Sequence, residues 1–282
     1  MDHLSFLPIE IILNICQHLV TIDILRLAIT SRHLHCILDL ITIPNPVNFL
    51  EIVGLSYFDA FTKVVYQKSK YRFPKSIQHL HWNSEEAIEL SLPETLTHLL
   101  LGNRYNLKLP PLPNSLIHLE LGHHYNQPWL QLPDSLTYLK LGNRTKQELQ
   151  QIPPRLTHLI LGYHYNRPLP QLPDSLIHLE LSAEYSHFLP ILPDTLTHLI
   201  LGNRYNYPLT LLPSNLVHLV IGYNYNHHLP QLPASLLYLK ICSSWYPYFQ
   251  SIPSTLEKLI IRRSFNLPVI IPPGVRIEYF YD

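Results

Sequence analysis

The chain has 282 residues; 20 lysines and arginines balance 20 aspartates and glutamates, and only 14% of residues are charged. That balance lacks the broad positive field needed to bind along a phosphate backbone, so nucleic acid is not expected as a partner, and a hydrophobic content of 46% excludes a disordered chain. No apolar run reaches the roughly 18 residues that span a bilayer, and Asp2 with no basic stretch behind it argues against a secretory leader. Cys16, Cys36 and Cys242 are an odd, sparse set, which fits a reducing compartment and a cytoplasmic protein without disulfides. The skew towards 26 prolines, 18 histidines and 18 tyrosines against 8 glycines points to internal repetition.

The first forty or so residues follow a helical period. Pro8 suits a first helical position and Glu10 complements the positive end of the helix dipole. Ile11, Ile12, Ile15, Cys16 and Leu19 then share one face. Thr21 or Asp23 is placed to cap a second helix carrying Ile24, Leu25, Leu27 and Ala28. Ser31 would cap a third with Leu34, Ile37, Leu38 and Ile41 on its apolar side, ended by Pro44 and Pro46. Three such short helices cannot bury both faces, so a domain of this size needs a partner. Cys16 and Cys36 fall on apolar positions, where structural thiols are expected.

Leu7-Pro8-Ile9-Glu10-Ile11, followed by Ile15, Leu19, Asp23, Leu25 and Ser31, resembles the F-box over residues 3–42, although the tryptophan common near the end of that motif is absent. The resemblance implies docking on the Skp adaptor of a cullin–RING ubiquitin ligase. Leu7, Pro8, Ile11, Ile15, Leu19 and Leu25 are the contact residues it implies. The alternative is that these helices only cap the repeats that follow. On this reading residues 1–44 form the F-box and residues 45–72 a linker and cap, with a helix over Val47–Phe58 and a strand over Phe61–Tyr66 covering the first repeat.

From there the period changes. Leucine or isoleucine precedes Pro93, Pro113, Pro133, Pro153, Pro173, Pro193, Pro213, Pro233 and Pro253, a step of 20 residues each time. Phe73-Pro74 opens a degenerate copy one residue short, and Pro273 a partial one. Counting from each proline, the third and sixth residues are always leucine and the eighth is leucine or isoleucine. The twelfth is aromatic in eight of nine units, Thr145 being the exception. No unit can bury these positions alone, whereas stacked coils cover one another. Stretches such as Leu119-Glu120-Leu121 read as short strands with one buried face. The prolines forbid a return helix, so the return side should be extended. Parallel strands spaced by about 4.8 Å would make an array on the order of 45 Å long. Glycine nine residues after the proline (Gly102, Gly122, Gly142, Gly162, Gly202, Gly222) is expected to supply a positive φ where the chain leaves the strand. Asn106, Asn126, Asn166, Asn206, Asn226 and Asn266 should hydrogen-bond backbone groups of the turn.

Leu-Pro-x-Ser/Thr-Leu-x-x-Leu-x-Leu-Gly followed by aromatic-Asn-x-Pro resembles the FNIP repeat, with Phe265-Asn266-Leu267-Pro268 nearly spelling it. The proline-led unit is also similar to short leucine-rich repeats of bacterial effectors. FNIP repeats joined to an F-box resemble proteins of slime moulds and of giant viruses of amoebae, which would place the chain in a host cytoplasm or nucleus. The fold expected is therefore α+β: a small three-helix F-box, a parallel β-solenoid of leucine-rich-repeat-like units over 73–271, and a cap strand over 272–282.

Seven histidines occupy one column: His79, His98, His118, His158, His178, His198 and His218, with Tyr138, Tyr238 and Lys258 in the remaining units. They should point out of the strand face opposite the core. Zinc accepts such donors, but tyrosine and lysine substitute in the column, so stacked neutral imidazoles are expected and no metal or other cofactor. Two residues on, Leu100, Glu120, Lys140, Ile160, Glu180, Ile200, Val220, Lys240 and Ile260 vary in charge and size. Either solvation relaxes these positions or they form a recognition surface. His118, Glu120, Lys140, His158, His178, Glu180, His198 and Lys240 are the target-binding candidates. No phosphate loop or nucleophile elbow occurs, and no enzyme is expected. The chain would be a monomer by itself and act as a substrate receptor of a Skp–cullin–F-box ligase; the alternatives are a plain scaffold or a decoy that occupies Skp without delivering a target.

Overall fold

A computed structural model describes residues 47–52, 61–66, 72–128, 131–243, 250–263 and 270–280. The expected three helices, the contact residues Leu7, Pro8, Ile11, Ile15, Leu19 and Leu25, and Phe265–Pro268 lie outside the described residues.

Each repeat bends twice to bracket a strand. The N–H of the leucine three places after the proline donates to the proline carbonyl, as in Leu96 to Pro93 at 3.0 Å. After the strand, the aromatic N–H donates to the glycine carbonyl, as in Tyr105 to Gly102 at 3.1 Å. Thr145 keeps this turn without an aromatic ring, its N–H 3.0 Å from Gly142 O. The residues between the turns alternate inward and outward.

The strands are β1 (Val47–Asn48), β2 (Lys63–Tyr66), β3 (His79–Trp82), β4 (His98–Leu101), β5 (His118–Glu120), β6 (Tyr138–Lys140) and β7 (His158–Ile160). They continue through β8 (His178–Glu180), β9 (His198–Ile200), β10 (His218–Ile221), β11 (Tyr238–Ile241), β12 (Lys258–Arg262) and β13 (Arg276–Phe280). All 13 form one sheet in chain order, and every pair is parallel. Along most of the sheet each residue pairs with its counterpart one repeat away, as His158 with His178 and Leu159 with Leu179. Return segments such as 106–112 carry neither helix nor strand, because their prolines remove backbone donors. The expected parallel, leucine-rich-repeat-like solenoid is the fold observed.

The helix expected over Val47–Phe58 is corrected at its start. Val47 and Asn48 pair with Val64 and Val65, and a single helical turn, α1, covers Phe49–Ile52. The Asn48 side chain accepts from Leu50 N at 3.1 Å, an N-cap that fixes where the helical turn begins. Residues 53–58 of that expected helix lie outside the described residues. Phe49, Tyr66, Phe73 and Trp82 then close the first coil, with Tyr66 and Trp82 stacked at 5.6 Å and Phe49 4.1 Å from Tyr66. The buried polar tips are satisfied: Tyr66 donates to Arg72 O and Trp82 to Glu86 O.

Three ladders besides the sheet pin coil to coil. Ser or Thr hydroxyls donate to the leucine carbonyl of the previous turn, as Ser115 to Leu96 (2.7 Å), Ser135 to Leu116 (2.6 Å) and Ser175 to Leu156 (2.7 Å). Asparagine accepts from the next coil's backbone: Asn126 N reaches Asn106 Oδ1 at 2.9 Å, and Asn226 N reaches Asn206 Oδ1 at 3.0 Å. The asparagines thus join successive turns instead of closing their own. Inside, Tyr105 stacks over Tyr125 at 6.3 Å, and Tyr185, Tyr205 and Tyr225 repeat the stack. Their hydroxyls reach backbone carbonyls, as Tyr225 does to His228 O at 3.1 Å. Thr145 interrupts the stack and donates to Tyr125 O at 2.9 Å.

The glycine expectation fails for a definite reason. Among the described residues only Gly274 has a positive φ. The glycines leaving the strands are instead favoured by close approach: a Cβ on Gly122 would lie 1.9 Å from Gly102 O, and one on Gly202 would lie 1.6 Å from Ser182 O, while Ser182 and Cys242 show that a shifted turn can take a side chain there. Gly122→Ala should therefore cost about 1–3 kcal/mol of unfolding free energy through overpacking. Gly274, with φ 97° and open space around a Cβ, should lose about 1 kcal/mol as alanine through backbone strain alone. Urea titration of both variants tests this, and a Gly122→Ala protein as stable as wild type would refute the close-approach account.

Candidate protein-interaction face

The outward side of the sheet carries three adjacent columns: threonine or aliphatic, histidine or tyrosine, and the column of varied charge. The histidine rings stack. His79–His98, His118–Tyr138 and His218–Tyr238 centroids lie 4.0, 4.1 and 4.0 Å apart, while His158, His178 and His198 follow at 5.6 Å steps. Lys258 ends the column with its ammonium 6.0 Å from the Tyr238 ring.

The preceding threonine biases which nitrogen carries the proton. Thr157 Oγ1 donates its one hydrogen to Thr137 O at 2.8 Å and sits 2.9 Å from His158 Nδ1. It can then only accept from the ring, which favours the Nδ1–H tautomer of His158, with the Nε2 lone pair unused by that contact. Thr97 holds His98 and Thr197 holds His198 in the same way, each at 2.8 Å from Nδ1.

Burial is the main force opposing protonation of this column. It pushes His98 and His178 down to about 4, with neighbouring imidazoles adding repulsion, and Lys63 too at His98. His79, His158 and His218 are lowered for the same leading reason.

Of the target-binding candidates, the structure links His118, Glu120 and Lys140. His118 Nε2 lies 3.0 Å from Glu120 Oε1, and Lys140 Nζ 3.2 Å from Glu120 Oε2. Desolvation raises the Glu120 pKa, but hydrogen bonds from His118 and Lys140 outweigh it and leave the net shift downward. His158, His178, His198 and Glu180 share β7–β9. Glu180 stands between Ile160 and Ile200 in the register, and desolvation raises its pKa against the pull of Lys140. Among the described residues it has no hydrogen-bond or ion-pair partner. Lys240 is apart from both groups on β11, its ammonium 5.9 Å from the Phe280 ring. Ile200 and Val220, which the sequence places in the same varied column, pair beside Glu180 on the open face. Sequence reasoning missed the tautomer bias, whose signal was the Thr-His dipeptide recurring with the repeat. Among the described residues no three metal-ligating side chains converge, and no helix is long and apolar enough to cross a membrane.

Comparison with known proteins agrees with this geometry. The F-box domain family matches residues 4–43, and the FNIP Repeat family matches five overlapping stretches, 82–124, 105–144, 125–164, 146–184 and 165–204. No curated protein matched the sequence. Among solved structures, CroV588, described as a novel circular LRR protein, superposes with a TM-score of 0.60 at 26% identity over 78% of this chain. YopM from Yersinia enterocolitica WA-314 superposes at 0.51 with 20% identity over 79% of this chain, a likeness of fold. The aligned region spans 43% of the first protein and 64% of the second.

The lowered histidines predict an acid-sensitive solenoid. A group that binds protons more weakly folded than unfolded contributes stability above its unfolded pKa and loses it as pH falls. For His98 and His178 the window runs from 6.5 down to about 4. Urea midpoints should be flat above pH 7 and fall below 6.5, by about 2 kcal/mol for the two together after allowing for solvent screening. His98→Gln/His178→Gln should flatten that fall; an unchanged slope would rule the ladder out as its source.

Proposed function

For a chain that carries an F-box domain and FNIP repeats, we propose the role of substrate-recognition subunit of a Skp–cullin–F-box ubiquitin ligase. Protein interaction is the common task of both parts; the ligase chemistry would belong to the partner. The F-box would dock the Skp adaptor through Leu7, Pro8, Ile11, Ile15, Leu19 and Leu25, an apolar row suited to a partner groove. The solenoid would hold a target protein and raise its effective concentration beside the ligase.

One observation carries the target half of this reading: the sheet keeps its inward leucines constant while its outward column changes from Glu120 and Lys140 to Ile160, Glu180, Ile200 and Val220 on neighbouring strands. A half-buried Glu180 carboxylate without a partner, flanked by isoleucines, favours a target that presents a cation bordered by apolar groups. His118, His158, His178 and His198 would form the wall beside it, and Lys240 a separate contact.

Two experiments test the two halves. A purified Skp adaptor should be retained by the full chain and lost with Leu7→Ala/Pro8→Ala, measured by pull-down. A wild-type chain that retains no adaptor would overturn the ligase link. Proximity labelling in a host cell should then identify proteins captured by wild type and reduced about tenfold or more by Glu180→Gln/Glu120→Gln, with adaptor binding unchanged. Adaptor binding without any target lost in that variant would mean a decoy or a different recognition surface.

A further inference from the structure

The repeat departs from its own pattern at Thr145-Lys146, where the other described units carry tyrosine and either asparagine or serine. Thr145 compensates for the missing ring through its bond to Tyr125 O. The Lys146 backbone N–H donates to Asn126 Oδ1 at 2.8 Å, but the lysine has no carbonyl side chain to pass the ladder on. A link worth about 1 kcal/mol is forgone there, and an ammonium takes its place. That exchange disfavours the fold, so its explanation has to lie at the surface.

At this coil an open groove of about 480 Å³ is lined by Asn106, His124, Asn126, Arg144, Lys146 and His164. Every lining residue carries a hydrogen-bond donor, and none is acidic. The ladder orients the amides: Asn106 Oδ1 faces Asn126 N and Asn126 Oδ1 faces Lys146 N, which leaves both Nδ2 groups as donors without a partner among the described residues. Glu184 engages His164 through Nδ1 at 3.1 Å, so that ring lines the groove with its proton directed away to the carboxylate. The nearby Arg104 is engaged by Glu85 at 3.2 Å, whereas Arg144 and Lys146 have no acidic partner among the described residues. Desolvation, then Arg144, His123 and Arg104, depresses the His124 pKa against an opposing pull from Glu85.

We propose that this groove is a binding site for a compact oxyanion of the phosphate class, with Arg144 and Lys146 supplying charge and the Asn106 and Asn126 amides and the His124 ring N–H supplying directed donors. It lies on the turn ridge, apart from the outward columns of the sheet.

The test is isothermal titration of the full chain with inorganic phosphate at pH 7 and constant ionic strength. Saturable binding at one site is expected, weakened about tenfold or more by Lys146→Asn and by Arg144→Gln, and unchanged by Arg155→Gln on another surface. Lys146→Asn restores the asparagine ladder, so its thermal midpoint should equal or exceed that of wild type, which removes misfolding as an explanation. O-phosphoserine in a second arm distinguishes sources: tighter binding than phosphate assigns the site to a phosphoryl group on a larger partner, and equal binding to the free ion. Non-saturable uptake, or equal responses of Lys146→Asn, Arg155→Gln and wild type, would overturn the site and leave general ionic attraction.

Discussion

Nearly every recurring contact in this solenoid joins a residue to its counterpart one coil away, and the tightest of them is the approach of one glycine turn to the carbonyl of the turn before it. A Cβ at Gly122, Gly142, Gly162 or Gly222 would come within about 2 Å of that oxygen. This spacing brings the leucines under the strands into contact, lets the tyrosines stack, and puts serine hydroxyls and asparagine amides within reach of the neighbouring backbone. The proline-led step of 20 residues repeats from Pro93 to Pro253, whereas the 19-residue step from His79 to His98 still pairs Leu80 with Leu99, both buried, so the turns absorb the difference and the strand register is kept.

The outward face inherits its geometry from the same stacking. Imidazoles 4–6 Å apart cannot all carry charge. Burial and mutual repulsion oppose protonation of His79, His98, His158, His178 and His218, and threonines beside His98, His158 and His198 orient the rings through Nδ1. The column thereby becomes a flat, weakly polar wall, against which the carboxylates and ammonium groups of the next column are the strong electrostatic features. Glu120 is already hydrogen-bonded to His118 and paired with the Lys140 ammonium; Glu180 has no such partner among the described residues, and the difference decides which of the two is available to a partner.

Departures from the repeat fall into two kinds. Ser182 replaces glycine and donates to Tyr165 O at 2.5 Å, buried and satisfied, so it is absorbed by the fold. Lys146 breaks the asparagine ladder and gains no bond to its side chain in return. A repeat tolerates the first kind because packing is restored, while the second kind separates what the fold needs from what the surface does.

The sequence alone determined the coil. Its proline spacing, fixed leucines and alternating strands dictate stacked parallel units, because no single unit can bury its own apolar residues. It also placed the histidine and varied columns on the outward face, since strand alternation leaves no other choice. Only the tertiary structure decided how coils touch. Glycine proved to answer a steric approach and not a φ requirement, asparagine to join neighbouring turns, and Val47–Asn48 to be a strand once β2 lay beside it. Which charges meet was likewise undecidable from spacing, because Glu120 and Glu180 occupy equivalent positions and differ only in the side chains that neighbouring strands bring beside them.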